Sequence, residues 1–204
     1  FAAIGTSGAA RAQVALDQFH AAPLPSDGFA ISRPDTLGRF EWAAQLVLDY
    51  ANDPLVYELP SGKQVPIVDH HLVGSAVFAV GLGNRFTLFG MLPVNLWMEG
   101  DGRQRLAPRP DGFGLGDVAL GGRLALFGQQ SKYFGMSAEF IARLPTAKAA
   151  NKNQAYSGDE IGSYEPALIA ELRAGRFDLR NRPGLRLRKP TDMGNLDFGQ
   201  EFVY

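Results

Sequence analysis

The stretch YFGMSAEFIARLP, residues 133–145, decides the fold class because its hydrophobicity changes at every residue. Successive side chains of an extended chain point to opposite faces, so Phe134, Phe140 and the other even-numbered residues share one face. The opposite face carries polar and charged residues, among them Glu139 and Arg143. The pattern predicts a β-strand with one apolar face and one polar face.

The same alternation recurs elsewhere in the chain, so the sequence predicts an even number of strands, about eight. In each stretch the apolar side chains lie on one face and the polar or small side chains on the other. The seven further stretches are residues 40–50, 71–82, 86–98, 117–127, 163–173, 177–188 and 196–204.

The links between the predicted strands alternate between short and long. Short links lie near Asn84, Gln129 and Gly175. The long links cover residues 52–69, 99–115, 147–161 and 189–195. If consecutive strands pair antiparallel, the short turns all lie at one end of the sheet, as in outer-membrane barrels with periplasmic turns and extracellular loops.

Strand length and aromatic placement also favour a bilayer, although alternation alone also fits a soluble sandwich. Several predicted strands match the roughly 9–11 residues that a tilted strand needs to cross the hydrocarbon layer. Aromatic residues near strand ends suit an interfacial girdle, with ordinary core packing as the alternative. They are Phe40, Trp42, Tyr50, Phe86, Tyr133, Phe134, Tyr164, Phe177 and Tyr204. The sequence therefore predicts an all-β, antiparallel up-and-down transmembrane β-barrel, whole or as part of a larger barrel.

Composition removes several function classes. The chain has 204 residues, of which 20 are basic and 21 acidic, so bulk attraction to nucleic acid is not expected. It contains no cysteine, which excludes disulfides, thiolate zinc sites and a catalytic thiol. No apolar run reaches the roughly 18 residues of a membrane-spanning helix.

The N-terminal part predicts export. Ala10-Arg11-Ala12 fits the tail of a secretory signal peptide, so residues 1–12 are predicted to be its remnant, with a floppy tail as the alternative. The positive start of such a peptide is missing, so the chain is expected to begin inside a precursor. Residues 13–38 are rich in Pro and Gly and predict an irregular periplasmic leader. Residues 39–204 are the predicted barrel, located in the outer membrane of a Gram-negative cell and surrounded by its lipid.

The polar faces of the predicted strands are expected to point into the lumen. A basic residue on the lipid side near the midplane costs about 2–4 kcal/mol. The predicted lumen-facing charges are Asp117, Arg123, Glu139, Arg143, Glu165, Glu171, Arg173, Asp178, Arg180, Arg182, Arg186 and Arg188. Their glutamates either pair with arginines and plug a narrow barrel, or line water and bias ion passage. The row of arginines from Arg180 to Arg188 mildly favours anionic solutes.

Catalytic and metal chemistry are not predicted. Asp69-His70-His71 has ligand-type residues, but the two histidines of an extended chain point to opposite faces and do not share a metal. There is no G-x-S-x-G motif, and His20 lies in the irregular leader. We expect neither an enzyme nor a cofactor.

Three stretches carry a family resemblance: residues 114–128 (GLGDVALGGRLALFG), residues 140–147 (FIARLPTA) and YEPALIAEL with the strand that follows it. They resemble the barrel region of outer-membrane protein A-like proteins of the myxobacterial type, and also the phenol meta-pathway transporter-like barrels. The resemblance implies further strands, or a periplasmic peptidoglycan-binding domain, beyond residue 204, so the chain is expected to be a fragment. Alternatively, Phe198, Phe202 and Tyr204 form a closing strand.

Three functions follow as expectations. The first is porin-like transport or passive permeation of small solutes. The second is a structural barrel that anchors the envelope to peptidoglycan through a domain absent here. The third is a soluble lipocalin-like binder, whose ligand would occupy an apolar interior.

Overall fold

The computed structural model describes residues 21–58, 61–100, 112–128, 131, 133–147, 162–188, 191–193, 196–198 and 200–203. The predicted signal-peptide remnant and Tyr204 lie outside these residues. The strands are β1 (Trp42–Glu58), β2 (Gln64–Gly81), β3 (Phe86–Glu99), β4 (Gly114–Leu115), β5 (Ala119–Phe127), β6 (Phe134–Arg143), β7 (Ser163–Ala174), β8 (Phe177–Asn181), β9 (Gly184–Arg186), β10 (Thr191–Met193), β11 (Leu196–Phe198) and β12 (Glu201–Val203).

One curled antiparallel sheet contains most of these strands, in the order β1-β2-β3-β5-β6-β7-β9-β12. The short strand β4 pairs with β3, β8 pairs with β7, and β10 and β11 form a separate two-stranded sheet. Neighbours in the sheet follow one another along the chain, so the predicted all-β up-and-down architecture is confirmed. In the part of the chain that the structure describes, β1 and β12 are the two edges of a half-barrel.

The two faces of the sheet have opposite chemistry. On the outer face Leu46 is 72% exposed and Phe140 is 49% exposed. On the inner, concave face Arg123 is 0% exposed and Glu139 is 3% exposed. The alternation of the strands therefore places large apolar side chains outward and charges inward, the reverse of a water-soluble sheet.

The inner face is covered by residues 21–38, which we call the plug segment. It has no strand, as predicted for the leader, but it packs on the sheet, which the sequence did not indicate. Leu24 is buried in a cluster with Ala79, Phe89, Ala119 and Ile141 from four different strands. One buried apolar cluster thus lies between the plug segment and the concave face, and a second consists of Ile67, Val68 and Met98 on β2 and β3.

Strand β1 and strand β2 extend further than predicted. The expected long link at residues 52–69 is mostly strand, because the two strands continue their pairing as far as Glu58 and Gln64. The register shifts between Asn52 and Leu55, where Asp53 has a φ of 50°. The polar residues at this bulge make the sequence look like a loop, although the strand pairing continues on both sides of the bulge.

Two other predictions about strands are wrong in detail. Strict alternation along residues 86–98 predicts Met98 on the apolar face with Leu88 and Trp97 on the opposite face with Phe89, but a register shift next to Val73 turns Trp97 outward and buries Met98. The predicted final strand, residues 196–204, is divided between β11 and β12. Only β12 joins the main sheet, where it pairs with β9.

The strand predicted for residues 177–188 is also interrupted. Strands β8 and β9 keep one register against β7, with Ala170 opposite Asn181 and Ala167 opposite Gly184. The interruption falls at Pro183, which has no N–H for the ladder.

Within the described ranges, no helix is long and apolar enough to cross a membrane.

Candidate functional site

Arg123 is the centre of the charged network on the concave face. Its Nη1 and Nη2 donate to the two carboxylate oxygens of Asp27, each at 2.8 Å. Its Nε and Nη2 donate to Oε2 of Glu139 at 2.9 and 2.7 Å. All three side chains are fully buried. A buried charge persists only when it is paired and hydrogen-bonded, and Arg123 meets this condition with two carboxylates.

The position of Arg123 follows from strand register. Arg123 on β5 is directly opposite Glu139 on β6, so their side chains meet on the same face. Cross-strand pairs of opposite charge stabilise an antiparallel sheet. The pairing of β5 with β6 thus holds the Arg123 side chain on the face that contacts the plug segment.

Asp27 organises the plug segment as well as binding Arg123. Its carboxylate accepts hydrogen bonds from the backbone N–H of Leu24 at 3.0 Å and of Arg33 at 2.8 Å. An Asp side chain commonly stabilises an irregular turn by bonding to nearby backbone in this way. The same carboxylate therefore shapes the turn and attaches it to the sheet.

Close backbone approach fixes the end of the plug segment. A Cβ on Gly81 would lie 2.0 Å from the carbonyl oxygen of Gly38 and 2.8 Å from that of Leu37. The N–H of Leu37 donates to Oγ1 of Thr87 at 2.8 Å. Pro34 similarly lies over Gly135, where a Cβ would be 2.7 Å from Cγ of the proline. The glycines leave the space that the segment occupies.

A second group of charges surrounds Glu165 on β7. Its carboxylate contacts Nη1 of Arg143 at 2.7 Å, Nη1 of Arg182 at 2.7 Å and Nη2 of Arg186 at 3.3 Å. Arg182 also contacts Glu139 through Nε at 2.9 Å. This contact crosses β7, where the small Ala167 is directly opposite Glu139.

A third group surrounds Glu171, which also lies on β7 and is fully buried. It pairs with Arg173, with Arg180 at 2.9 Å and with Arg33 of the plug segment at 3.5 Å. Arg173 also contacts Asp35 of the plug segment at 3.4 Å. The plug segment is therefore connected to the sheet by ion pairs at Asp27, Arg33 and Asp35.

The structure brings most of the predicted lumen charges together. Eleven of the twelve take part in ion pairs on the concave face: Arg123, Glu139, Arg143, Glu165, Glu171, Arg173, Asp178, Arg180, Arg182, Arg186 and Arg188. The twelfth, Asp117, contacts the link that follows β6. Its Oδ1 accepts a hydrogen bond from the backbone N–H of Ala147 at 3.1 Å and so holds the start of the link after β6.

Four charged residues of the network were not expected: Asp27, Arg33, Asp35 and Glu201. The plug segment has no periodicity that would assign its charges to a face. One signal was present, because the twelve predicted charges comprise seven arginines and five acids. Buried arginines in excess imply acids from elsewhere in the chain.

A cavity of about 460 Å³ remains between the plug segment and strands β6 to β9. Its charged lining consists of Arg143, Arg180, Arg182, Arg186, Glu139 and Glu165. Apolar side chains of the plug segment and of β3 and β6 form another part of the wall. The cavity therefore has both cationic and apolar walls.

The two adjacent histidines point to opposite faces, as the strand pattern predicts. Nε2 of the buried His71 is 2.9 Å from Oδ1 of Asn95 on the inner face. On the other face, Nδ1 of His70 is 2.8 Å from the Tyr50 hydroxyl, and its ring stacks on Trp97. Among the described residues, no group of three His, Cys, Asp or Glu side chains could hold a metal ion.

Comparison with protein-family models, with curated proteins and with solved structures gives no match to this chain. The sheet topology alone defines the class of this protein, which is an all-β antiparallel half-barrel with a charged concave face.

Proposed function

We propose that the chain forms part of the wall of an outer-membrane β-barrel through which small solutes pass. The plug segment closes the lumen of this barrel. The observation that carries this proposal is the distribution of side chains between the two faces. The outer face exposes leucine and aromatic residues on most of its strands, and the inner face contains paired charges. Lipid tails suit the first face, and an enclosed polar interior suits the second.

Energetics favour the bilayer over water for this arrangement. A water-soluble monomer rarely exposes an apolar patch larger than a few hundred Å². The outer face carries exposed large apolar residues on β1, β2, β3, β5, β6, β7 and β9. Turning the sheet over would place Arg123 and Arg143 in lipid at about 2–4 kcal/mol each near the midplane.

Two groups of aromatic side chains on the outer face support the same placement. Trp42, at the start of β1, stacks with Phe78, and eight residues further along β1 Tyr50 stacks with His70, which also stacks with Trp97 near the end of β3. Both tryptophans are exposed on the outer face. Amphipathic rings in such positions are typical of the membrane interface.

The edges of the sheet fit a wall that continues beyond the described strands. Open sheet edges do not occur in the hydrocarbon region, because each unpaired N–H or C=O costs several kcal/mol there. Within the described residues, β1 and β12 end the sheet. In a membrane their edges would pair with further strands, and the sheet is then part of a larger barrel.

A lipocalin-like binder fits the geometry less well. Such a protein holds its ligand in an apolar interior and keeps polar side chains outside. Here the buried inner side chains include Arg123, Glu139, Glu165 and Glu171. The chemistry of the two faces is the opposite of what that function needs.

Bilayer conductance tests the proposal, with release of the plug segment as the variable. Asp27→Ala removes one of the two carboxylate partners of Arg123 and also the acceptor that shapes the turn. We expect low conductance from the refolded wild-type chain in planar bilayers and higher conductance from this variant. Asp178→Ala is the matched control, because Asp178 also contacts the plug segment but is partly exposed.

Each outcome is informative. Equal conductance of the two variants would show that the plug segment does not close the lumen. Silence of all three proteins, with insertion into the bilayer and closure of the sheet edges verified, would reject permeation and favour a purely structural barrel.

A further inference from the structure

The cavity beside the plug segment has a composition suited to one class of solute. Three arginines, Arg143, Arg182 and Arg186, converge on the single carboxylate of Glu165. All three guanidinium groups are largely buried, and they line the same space of about 460 Å³. That volume lies within the range of about 300–1,000 Å³ that is usual for small-molecule sites.

The arginines have donors left for a ligand. A guanidinium carries five N–H donors. The contacts to Glu165 use Nη1 of Arg143, Nη1 of Arg182, and Nε with Nη2 of Arg186. Arg186 makes the longest of these contacts, at 3.3 and 3.4 Å, and its Nη1 lies 3.6 Å from the partly exposed Glu201, so it can turn toward a ligand carboxylate at the lowest cost.

The local charge favours an anion. Four arginines and two glutamates line the cavity. Groups outside the lining act on both signs, because Glu139 is shared with Arg123, whereas Arg180 pairs with Glu171 and Arg186 with Glu201. The excess of guanidinium groups is therefore greatest around Glu165, where three arginines share one carboxylate, and a bound carboxylate would offset it there.

Apolar side chains complete the site. Ile31 of the plug segment, Met91 of β3 and Ile141 of β6 line the cavity together with the arginines. Inorganic ions gain nothing from such a wall, whereas the body of an organic acid buries apolar surface against it.

We propose that this cavity binds a small organic carboxylate, with its carboxylate on Arg143, Arg182 and Arg186 and its apolar body against Ile31, Met91 and Ile141. The inference that carboxylates are the solutes of the lumen rests on the proposed function. The binding site itself does not require that the barrel conducts. The plug segment supplies part of the wall, so ligand occupancy and plug position are coupled.

Calorimetric titration of the refolded chain in detergent micelles tests the site with benzoate as the probe. Benzamide, which has the same ring without the charge, and inorganic phosphate, which has charge without the ring, are the comparison ligands. We expect benzoate to bind and the other two to bind at least about tenfold more weakly, since a charge-assisted hydrogen bond or a buried ring each contributes that much.

Matched variants connect binding to the cavity. Arg186→Gln removes one of three arginines around Glu165, and Arg176→Gln removes an exposed arginine in the turn between β7 and β8, outside the cavity. We expect the first variant to weaken benzoate binding about tenfold and the second to leave it unchanged. Arg186→Lys, which keeps a charge without the planar fork, should bind with intermediate affinity.

The results separate this inference from the proposed function. No benzoate binding, equal binding of benzamide, or equal loss in both glutamine variants would overturn the site, and the bilayer conductance would be unaffected by that result. Benzoate binding that depends on Arg186, in a chain that never conducts, would uphold the site and reject permeation.

Discussion

At the scale of single residues, Arg123 joins three parts of the chain through one guanidinium group. It lies on β5, pairs with Glu139 on β6 and binds Asp27 of the plug segment through two parallel hydrogen bonds. Removing one member of a buried ion-pair group leaves the others uncompensated, and this costs more than the pair itself contributes. Arg123 is therefore the residue whose loss should affect the molecule most.

Arg123→Met tests this role, because methionine fills similar space without the charge. Asp27 loses its ion-pair partner, whereas Glu139 retains Arg182. We expect the free energy of unfolding in micelles, measured with urea, to fall by about 3–5 kcal/mol.

Arg173→Met is the control for this experiment. Its partner Glu171 retains Arg33 and Arg180, and Arg173 is partly exposed, so a loss of at most about 1 kcal/mol is expected. Similar unfolding of the Arg123 variant and the wild-type chain would contradict the central position of Arg123.

The sequence identified one half of this cluster. Alternation along β5 and β6 places Arg123 and Glu139 on the same kind of face, and antiparallel pairing then puts them opposite each other. Asp27 was not identified, because it lies in a Pro- and Gly-rich stretch where no period assigns a side chain to a face. Contacts made by irregular segments depend on tertiary packing, which a single sequence does not encode locally.

At the scale of elements, the plug segment is held to the sheet by shape as well as by charge. Its last residues pass so close to β2 that Gly81 has no room for a side chain. Leu24, at the other end, is buried among residues of four strands. The segment is thus fixed at both ends and behaves as part of the fold.

Gly81→Ala should weaken the docking of the plug segment, because the new Cβ meets two backbone carbonyl oxygens that cannot turn away. Overpacking of this kind costs about 1–3 kcal/mol. We expect faster amide hydrogen exchange over residues 22–38, where Asp27, Gly28 and Leu37 donate backbone hydrogen bonds.

Gly90→Ala serves as the matched glycine variant on β3. Its nearest neighbour would be Cδ2 of Leu120 at 3.4 Å, an ordinary contact. Exchange in the plug segment should not change in this variant. If the two alanine variants exchange alike, the close approach at Gly81 does not hold the segment.

Strand boundaries show what the sequence could and could not predict at this scale. Period-two alternation identified the central strands because each residue's face is set locally. The inversion at Trp97 and Met98 was missed because a bulge depends on the partner strand β2, and one extra residue reverses every face beyond it. The interruption of the final strand likewise depends on which strands β11 and β12 find as partners.

At the scale of the whole molecule, the account depends on the outward direction of the apolar side chains. The half-barrel exposes Leu46, Leu124 and Phe140 and encloses its arginines and carboxylates. In water this arrangement would leave the apolar face uncovered, whereas in lipid the same face is solvated. The transport proposal therefore requires that the apolar face of the sheet contacts lipid and that the charged face is enclosed.

Single-cysteine spin labelling along β6 measures this property most directly, since the chain has no cysteine of its own. Labels would be placed at Met136, Ala138 and Phe140 on the outer face and at Ser137 and Ile141 on the inner face. In lipid vesicles we expect the outer labels to collide with dissolved oxygen and the inner labels to be shielded from it, with a period of two. A uniform response along the strand, or outer labels that collide mainly with a water-soluble nickel complex, would contradict the account.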